Sequence, residues 1–237
     1  MQNLQGIIRR STNNVTNQWE RLGYIANDLA NCNTIGYKGV RFEQMLQADG
    51  YLTGAVRTDY EQGSIRVTSN PFDVAIDGAG FIPVFSKNGE VAYTRDGSFK
   101  QGKDGYLMTN DDWIVGNGIK IPSNCYKFQI KPNGDVVAYD AKDAPPKKIG
   151  NIPLVRFDCP EGLEQTDMNK LTPTDESGEA MLVKNHTCFR QNNLENSNVD
   201  MYAAVGDMLR MNASMLASTR MMKVVDDMYN KGINIRE

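Results

Sequence analysis

The sequence predicts an α+β chain in which long N- and C-terminal helices pair as a coiled coil and flank a central all-β domain. Three observations lead there. Apolar residues near both ends recur at alternating three- and four-residue steps, the spacing of a narrow helical seam. Between them, short apolar runs are separated by Asp-Gly, Asn-Asp and Pro-Asn-Gly turns, the pattern of hairpins. Neither helix buries its seam alone, so the two seams are expected to cover each other.

The first helix follows a register through Leu4, Ile8, Ser11, Val15, Gln18, Leu22, Ile25 and Leu29, of which six of eight are apolar. Its interior, Ser11 to Asn17, holds three asparagines and two threonines, which lower helix propensity and make a partner necessary. Asn31, Asn33 and Gly36 favour caps, turns and left-handed backbone, so the helix ends here. From Gly39 to Val67 the pattern loosens: Phe42, Met45 and Leu46 read as one more helical turn, and Gly50, Gly54 and Gly63 interrupt any regular element. Residues 1–45 are therefore read as the N-terminal helix of a terminal coiled-coil domain, 46–70 as an extended connector, 71–189 as the central all-β domain and 190–237 as the C-terminal helix.

Within the middle, Phe72, Val74 and Ile76 alternate with Asp73, Ala75 and Asp77, a strand with one buried face, and Gly78-Ala79-Gly80 supplies a turn. Hairpin turns are read at Asp96-Gly97, Asp104-Gly105, Asn110-Asp111 and Pro132-Asn133-Gly134, with later strands over Ile149–Phe157 and Met181–Phe189. The last helix carries Met201, Ala204, Met208, Met211, Met215, Ser218, Met222, Val225 and Tyr229 at strict three-and-four spacing, eight of nine apolar. Asp200 stands where it can cap that helix, and Lys231-Gly232 is read as its end.

A chain of 237 residues with 40% hydrophobic content has length enough for one large or two small domains with a proper core. Net charge of −3 with interspersed signs argues against a nucleic-acid footprint or a polybasic membrane patch, and points to protein partners. No apolar run approaches the roughly 20 residues of a membrane-spanning helix. Arg9 and Arg10 follow the only apolar pair of the N-terminus, the wrong order for a signal peptide, which by itself reads as cytoplasmic. Four widely spaced cysteines suggest neither a zinc site nor a disulfide scaffold. His186 and Cys188 fall on opposite faces of a strand, and Asp111-Asp112 and Asp226-Asp227 read as solvated pairs. Gly78-Ala79-Gly80 lacks the third glycine and the following helix of a phosphate loop. No catalytic, cofactor-binding or metal-binding residue is assigned, and the chain is read as no enzyme.

Three segments carry a resemblance. Ala26, Asn27, Leu29, Ala30, Asn31, Asn33, Thr34, Gly36, Tyr37 and Lys38 match A-N-N-L-A-N-x-N-T-x-G-[FY]-K, a signature of bacterial flagellar rod and hook proteins. Gln62, Gly63, Thr68, Asn70, Pro71, Asp73, Ala75, Ile76, Gly78, Gly80 and Phe81 resemble a second, followed by Y-T-R-D-G-S-F at Tyr93–Phe99 and D-G-Y-L at Asp104–Leu107. Leu194, Glu195, Ser197, Asn198, Val199 and Asp200 match a third, in which Asn192 replaces the usual glycine. The tail departs from the family where a Gln-Arg-aromatic-Glu run is usual and Asn212 to Leu216 stand instead.

The resemblance implies a structural subunit of the basal-body rod, polymerising helically through its terminal helices into drive-shaft and export channel. The seam residues would fix helix-pair geometry, asparagine-rich faces would bond neighbouring subunits, and Asn31–Lys38 would mark the exit from an inner helical layer to an outer β layer. Implied partners are other rod and hook subunits, further copies of the chain and the flagellar export apparatus, with no nucleic acid and no membrane insertion. It also implies a periplasmic location reached without a cleaved signal peptide, in place of the cytoplasmic one. Chain length favours the proximal over the distal rod form, although N-C-N-T-I-G-Y-K looks more like the distal. A secreted adhesin or effector with a β domain on a coiled-coil stalk is the alternative.

Overall fold

The computed structural model describes residues 2–122, 125–142, 145–166, 169–184 and 187–234, with side chains between residues 6 and 232. The chain divides into two compact units, one of residues 1–32, 39–59 and 199–237 and the other of residues 33–38 and 60–198.

The first unit holds the two α-helices among the described residues, α1 (Gln2–Ala30) and α2 (Met201–Asn234), and an antiparallel hairpin of strands Val40–Leu46 and Leu52–Thr58. Asn13 and Asn17, which as poor helix formers looked out of place, hold that hairpin on α1. The Leu52 amide donates to Asn13 Oδ1 at 2.8 Å, and Asn17 Nδ2 donates to the Leu52 carbonyl at 3.0 Å. Tyr24 stacks on Phe42, and the Val40 amide donates to both oxygens of the buried Asp28 carboxylate. Asp200 caps α2 by accepting from the amides of Tyr202 and Ala203.

These contacts overturn the predicted α+β class, a coiled coil of terminal helices flanking one central all-β domain. Among the described residues the chain has two α-helices and a large, many-stranded β-rich unit, and β structure also enters the helical unit as the hairpin of Val40–Thr58. Phe42, Met45 and Leu46 lie in a strand and not in a helical turn, because Asp49-Gly50 closes a hairpin, with Gly50 at φ +82°. Polar bonds also join the helices, beside the buried Met211 and Val225. Gln18 Nε2 donates to Ser214 Oγ at 2.8 Å, Asn14 Nδ2 to Ser218 Oγ at 3.3 Å, and Arg21 lies 3.5 Å from Asp207. Polar side chains at the contact need partners once they leave water, and Gln18 Nε2 and Asn14 Nδ2 find them across the helix pair, whereas the buried Gln18 Oε1 finds none among the described residues.

In the second unit, seven antiparallel strands form the main sheet in the order Glu164–Thr166, Lys170–Thr172, Val91–Thr94, Ile82–Phe85, Ile114–Val115, Leu107–Thr109, Phe99–Gln101. Strands Lys127–Ile130, Asp135–Tyr139 and Lys147–Asn151 make a three-stranded sheet, and Val74–Ile76 and Ile65–Val67 pair with Phe189–Gln191 and Asn193–Glu195. One cluster including Val74, Ile82, Val84, Leu107, Val136, Leu154 and Phe189 forms the core, and a second gathers Phe81, Tyr93, Val155, Phe157, Leu163 and Leu171. The turns at Gly105, Asp112 and Gly134 join paired strands as their sequence suggests, all three with positive φ. Asp96-Gly97 does not, because the strands on either side of it are not neighbours in the sheet. Gly97 is needed for close approach instead: a Cβ there would meet the Val74 carbonyl oxygen at 1.6 Å, and the Val74 amide donates to the Gly97 carbonyl.

The helix pair yields a first expectation. Met211 is buried and Leu209 exposed. Met211→Ala is expected to cost about 2–4 kcal/mol in urea unfolding followed by circular dichroism at 222 nm. Leu209→Ala is expected to stay within about 0.5 kcal/mol of the parent.

Candidate functional site

Glu195 ends the strand Asn193–Glu195 with 1% of its surface exposed, and its carboxylate is the centre of an ionic cluster inside the β-rich unit. Oε1 accepts from Lys38 Nζ at 2.7 Å and from the Gly63 amide at 3.0 Å. Oε2 accepts from Arg95 Nε at 2.9 Å, with Arg95 Nη2 at 2.8 Å. Both cations are buried and also donate to backbone: Lys38 Nζ to the Glu61 carbonyl at 2.7 Å, Arg95 Nη1 and Nη2 to the Gly80 and Gly78 carbonyls at 2.9 Å each. A buried charge is tolerated only when paired and hydrogen-bonded, and this cluster meets both conditions for all three charges.

Backbone shape brings these groups together. Gly36 has φ +67°, a Cβ on it would lie 2.7 Å from the Arg95 carbonyl carbon, and its amide donates to the Glu195 carbonyl at 2.9 Å. A Cβ on Gly63 would meet the Asn196 carbonyl oxygen at 2.0 Å. Asn169 Nδ2 donates to the Ile35 carbonyl, and Tyr37 is buried beside Lys38. Gln62 bridges outward, donating to the Ile76 carbonyl and accepting from the Gly78 amide. Asn70 caps the next turn by accepting from the Phe72 amide, and its Nδ2 donates to the buried Asp73 carboxylate.

Of the sequence-predicted signature residues, Gly36, Lys38, Gly78, Gly80 and Glu195 therefore meet at one place, and Thr34 and Tyr37 adjoin it. Leu194 and Phe81 are buried in the β-rich unit, Pro71 accepts from Gln191 Nε2, and Asn198 Nδ2 donates to the Glu61 carbonyl. Ser197 is buried and Val199 half-buried. Asn27, Leu29, Ala30 and Asn31 lie at the end of α1, where Asn31 bonds back to the Asn27 carbonyl, Asn33 is exposed, and Asp200 caps α2. Gly63 and Arg95 stand in the quoted signature segments, but nothing in the sequence said that they meet Lys38 and Glu195. The available signal was that Lys38, Arg95 and Glu195 each stand in a separate signature segment and together carry charges of both signs.

Along α1, Ile8, Val15, Leu22, Ile25 and Leu29 are half-buried, and the side chain of Leu4 lies outside the described residues. Along α2, Met211 and Val225 are buried, Ala204, Met208, Met215 and Met222 half-buried, and Met201 and Tyr229 exposed.

Burial pushes the Cys188 thiol up, away from a nucleophilic thiolate, and His186 lies outside the described residues. Asp111 pairs with Lys170 at 2.6 Å, and Lys100 beside Asp112 holds that carboxyl below the usual carboxylate range. Gly78-Ala79-Gly80 turns carbonyl oxygens inward onto a guanidinium, the opposite polarity from a phosphate cradle. Among the described residues no group of three His, Cys, Asp or Glu is placed to hold a metal, and no helix is long and apolar enough to cross a membrane.

Residues 75–138 match the family model described as the flagellar hook protein FlgE/F/G D1 domain. The chain is 30% identical to the flagellar basal-body rod protein FlgG of Buchnera aphidicola subsp. Schizaphis graminum, over 89% of this chain and 92% of that one. It is 28% identical to the protein of the same name in Caulobacter vibrioides, over 97% and 98%, and 26% identical to that of Bacillus subtilis, over 91% and 93%.

Asn192, whose amide donates to the Asp73 carbonyl, has φ +58°, a left-handed conformation that asparagine tolerates and alanine resists. Asn192→Gly is expected to leave thermal stability within about 0.5 kcal/mol, and Asn192→Ala to lower it by about 1 kcal/mol, in calorimetric unfolding of the two variants.

Proposed function

The chain belongs to the flagellar basal-body rod protein family, and on that premise we propose that it is a structural subunit of the rod that polymerises through its helical unit. The observation that carries this reading is that α2 is apolar on two opposite faces. One face turns Met211 and Val225 inward. On the other, Tyr202, Leu209 and Leu216 are 85%, 65% and 60% exposed and recur every seven residues, joined by the exposed Val205 and Val224. Seven residues fall about 20° short of two full turns, so these side chains form one stripe along the helix.

An exposed apolar stripe of this length marks a contact surface. A stripe that meets a different surface on the next subunit adds copies without closing a ring, which builds a helical filament. The asparagines of α1 support a narrower role than bonds between subunits, because Asn13, Asn14 and Asn17 already bond within the unit. Partners in this reading are further copies and other rod and hook subunits. The chain reaches a periplasmic site through the flagellar export apparatus, without a cleaved signal peptide. Its work is mechanical, with no catalytic step, and the interior of the assembled tube serves as the export channel.

Replacing Leu209 and Leu216 together by aspartate puts two charges on the stripe without touching the inward face. A strain carrying that double variant as its sole copy is expected to be non-motile and to lack assembled rods in electron micrographs, while the purified variant keeps the circular dichroism of the parent. Normal motility would refute assembly through this face.

A further inference from the structure

We infer that Glu195 is the latch of a zipper, the residue that holds every passage of the chain between its two units. The chain passes between the units after residues 32, 38, 59 and 198. Each passage starts close to a group bound to Glu195. Gly36, between the first two, donates its amide to the Glu195 carbonyl, and Lys38, at the second, binds its carboxylate. Past the third, Gly63 donates its amide to Oε1, and Lys38 also holds the Glu61 carbonyl. The fourth follows Glu195 by three residues, with Asn198 tied to the same Glu61 carbonyl.

Strand geometry explains why a latch is needed here. Strands Ile65–Val67 and Asn193–Glu195 are antiparallel, with Glu195 opposite Ile65 and Asn193 opposite Val67. The ends that run on to residue 59 and to residue 199 therefore lie at the same end of the ribbon. A ribbon loaded from one end opens one pair at a time instead of sharing the load across all of its bonds, and this ribbon is three pairs long. Beyond it, the Thr68 amide on the Asn192 carbonyl is the next bond before the core at Val74 and Phe189.

Glu195 sits at the mouth of that zipper, with the Asn196–Ser64 bonds just outside it, so its ionic bonds must break before the Glu195–Ile65 pair parts. Opening the mouth exposes a carboxylate and two cations, each of which has lost its partner in a poorly hydrated setting. The latch therefore resists peeling where bare strand pairing is weakest. Torque on the rod supplies the load in the assembled state. The latch itself lies wholly within the β-rich unit, and its test on isolated protein stands even if the rod reading fails.

Hydrogen exchange followed by mass spectrometry on the purified full chain tests this. Glu195→Gln is expected to speed exchange at least tenfold in residues 34–38, 61–67 and 193–198, while strands Ile82–Phe85 and Leu107–Thr109 keep the parent rate. Lys170→Met, which breaks the pair of the buried Lys170 with the exposed Asp111 in the same unit, is expected to leave those three segments unchanged. Should Glu195→Gln fail to fold, Lys38→Met keeps the Arg95–Glu195 pair and is expected to give at least a threefold increase in the same segments. Unchanged exchange there, a uniform increase that includes the core strands, or equal loosening in Lys170→Met would each overturn the latch.

Discussion

A single carboxylate removed from water, with its partners drawn from three distant parts of the chain, is the constraint on which the rest of the structure depends. Lys38, Gly63 and Arg95 lie 157, 132 and 100 residues from Glu195, and all of them donate to it. Leaving any buried charge of this cluster unpaired costs about 3–5 kcal/mol, a large share of a domain's net stability. The cluster therefore penalises any arrangement in which the first and last segments of the β-rich unit do not meet. Apolar residues in its place would give comparable stability but no such penalty, so its contribution is to select one arrangement. Glycines at 36 and 63 follow from it, since any side chain there would push apart the backbone that the ions draw together.

What was legible in the sequence was local. Helical period located α1 and α2, and the turn residues Asp104-Gly105, Asn110-Asp111 and Pro132-Asn133-Gly134 located hairpins, because each signal lies within a few residues of the structure it specifies. What was not legible was pairing at a distance. Asn13 and Asn17 read as defects in a helix because their partner, the backbone of Leu52, lies 39 and 35 residues away. The contact between α1 and α2 likewise joins Gln18 to Ser214 across 196 residues: heptad spacing put Gln18 on the contact face but gave no sign of its partner, which lies one residue off the α2 register. Asp96-Gly97 shows the reverse error, a local turn signal whose glycine serves the approach of a strand more than twenty residues earlier in the chain.

The site follows the same rule. Lys38, Gly78, Gly80 and Glu195 stood in the signatures, but the signatures do not say that they meet. Gly78-Ala79-Gly80 was legible as a turn, and its role emerges only from the guanidinium that its carbonyls hold. Asn192 in a left-handed conformation accounts for the departure from the family glycine, since both residues accept that backbone. The two units thus differ in kind. The β-rich unit pairs the buried charges of Lys38, Arg95 and Glu195 internally, whereas α2 keeps an exposed apolar stripe opposite its inward face, a surface that assembly would cover.

The most direct test of the central claim is a double-mutant cycle between Lys38→Met and Glu195→Gln, read as unfolding free energy of the β-rich unit in urea. If the two side chains form one interdependent ionic cluster, removing Lys38 costs little once Glu195 is gone, because a buried cation without its partner is removed with it. The coupling energy is then above about 2 kcal/mol. Additivity of the two single changes within about 0.5 kcal/mol would contradict the account.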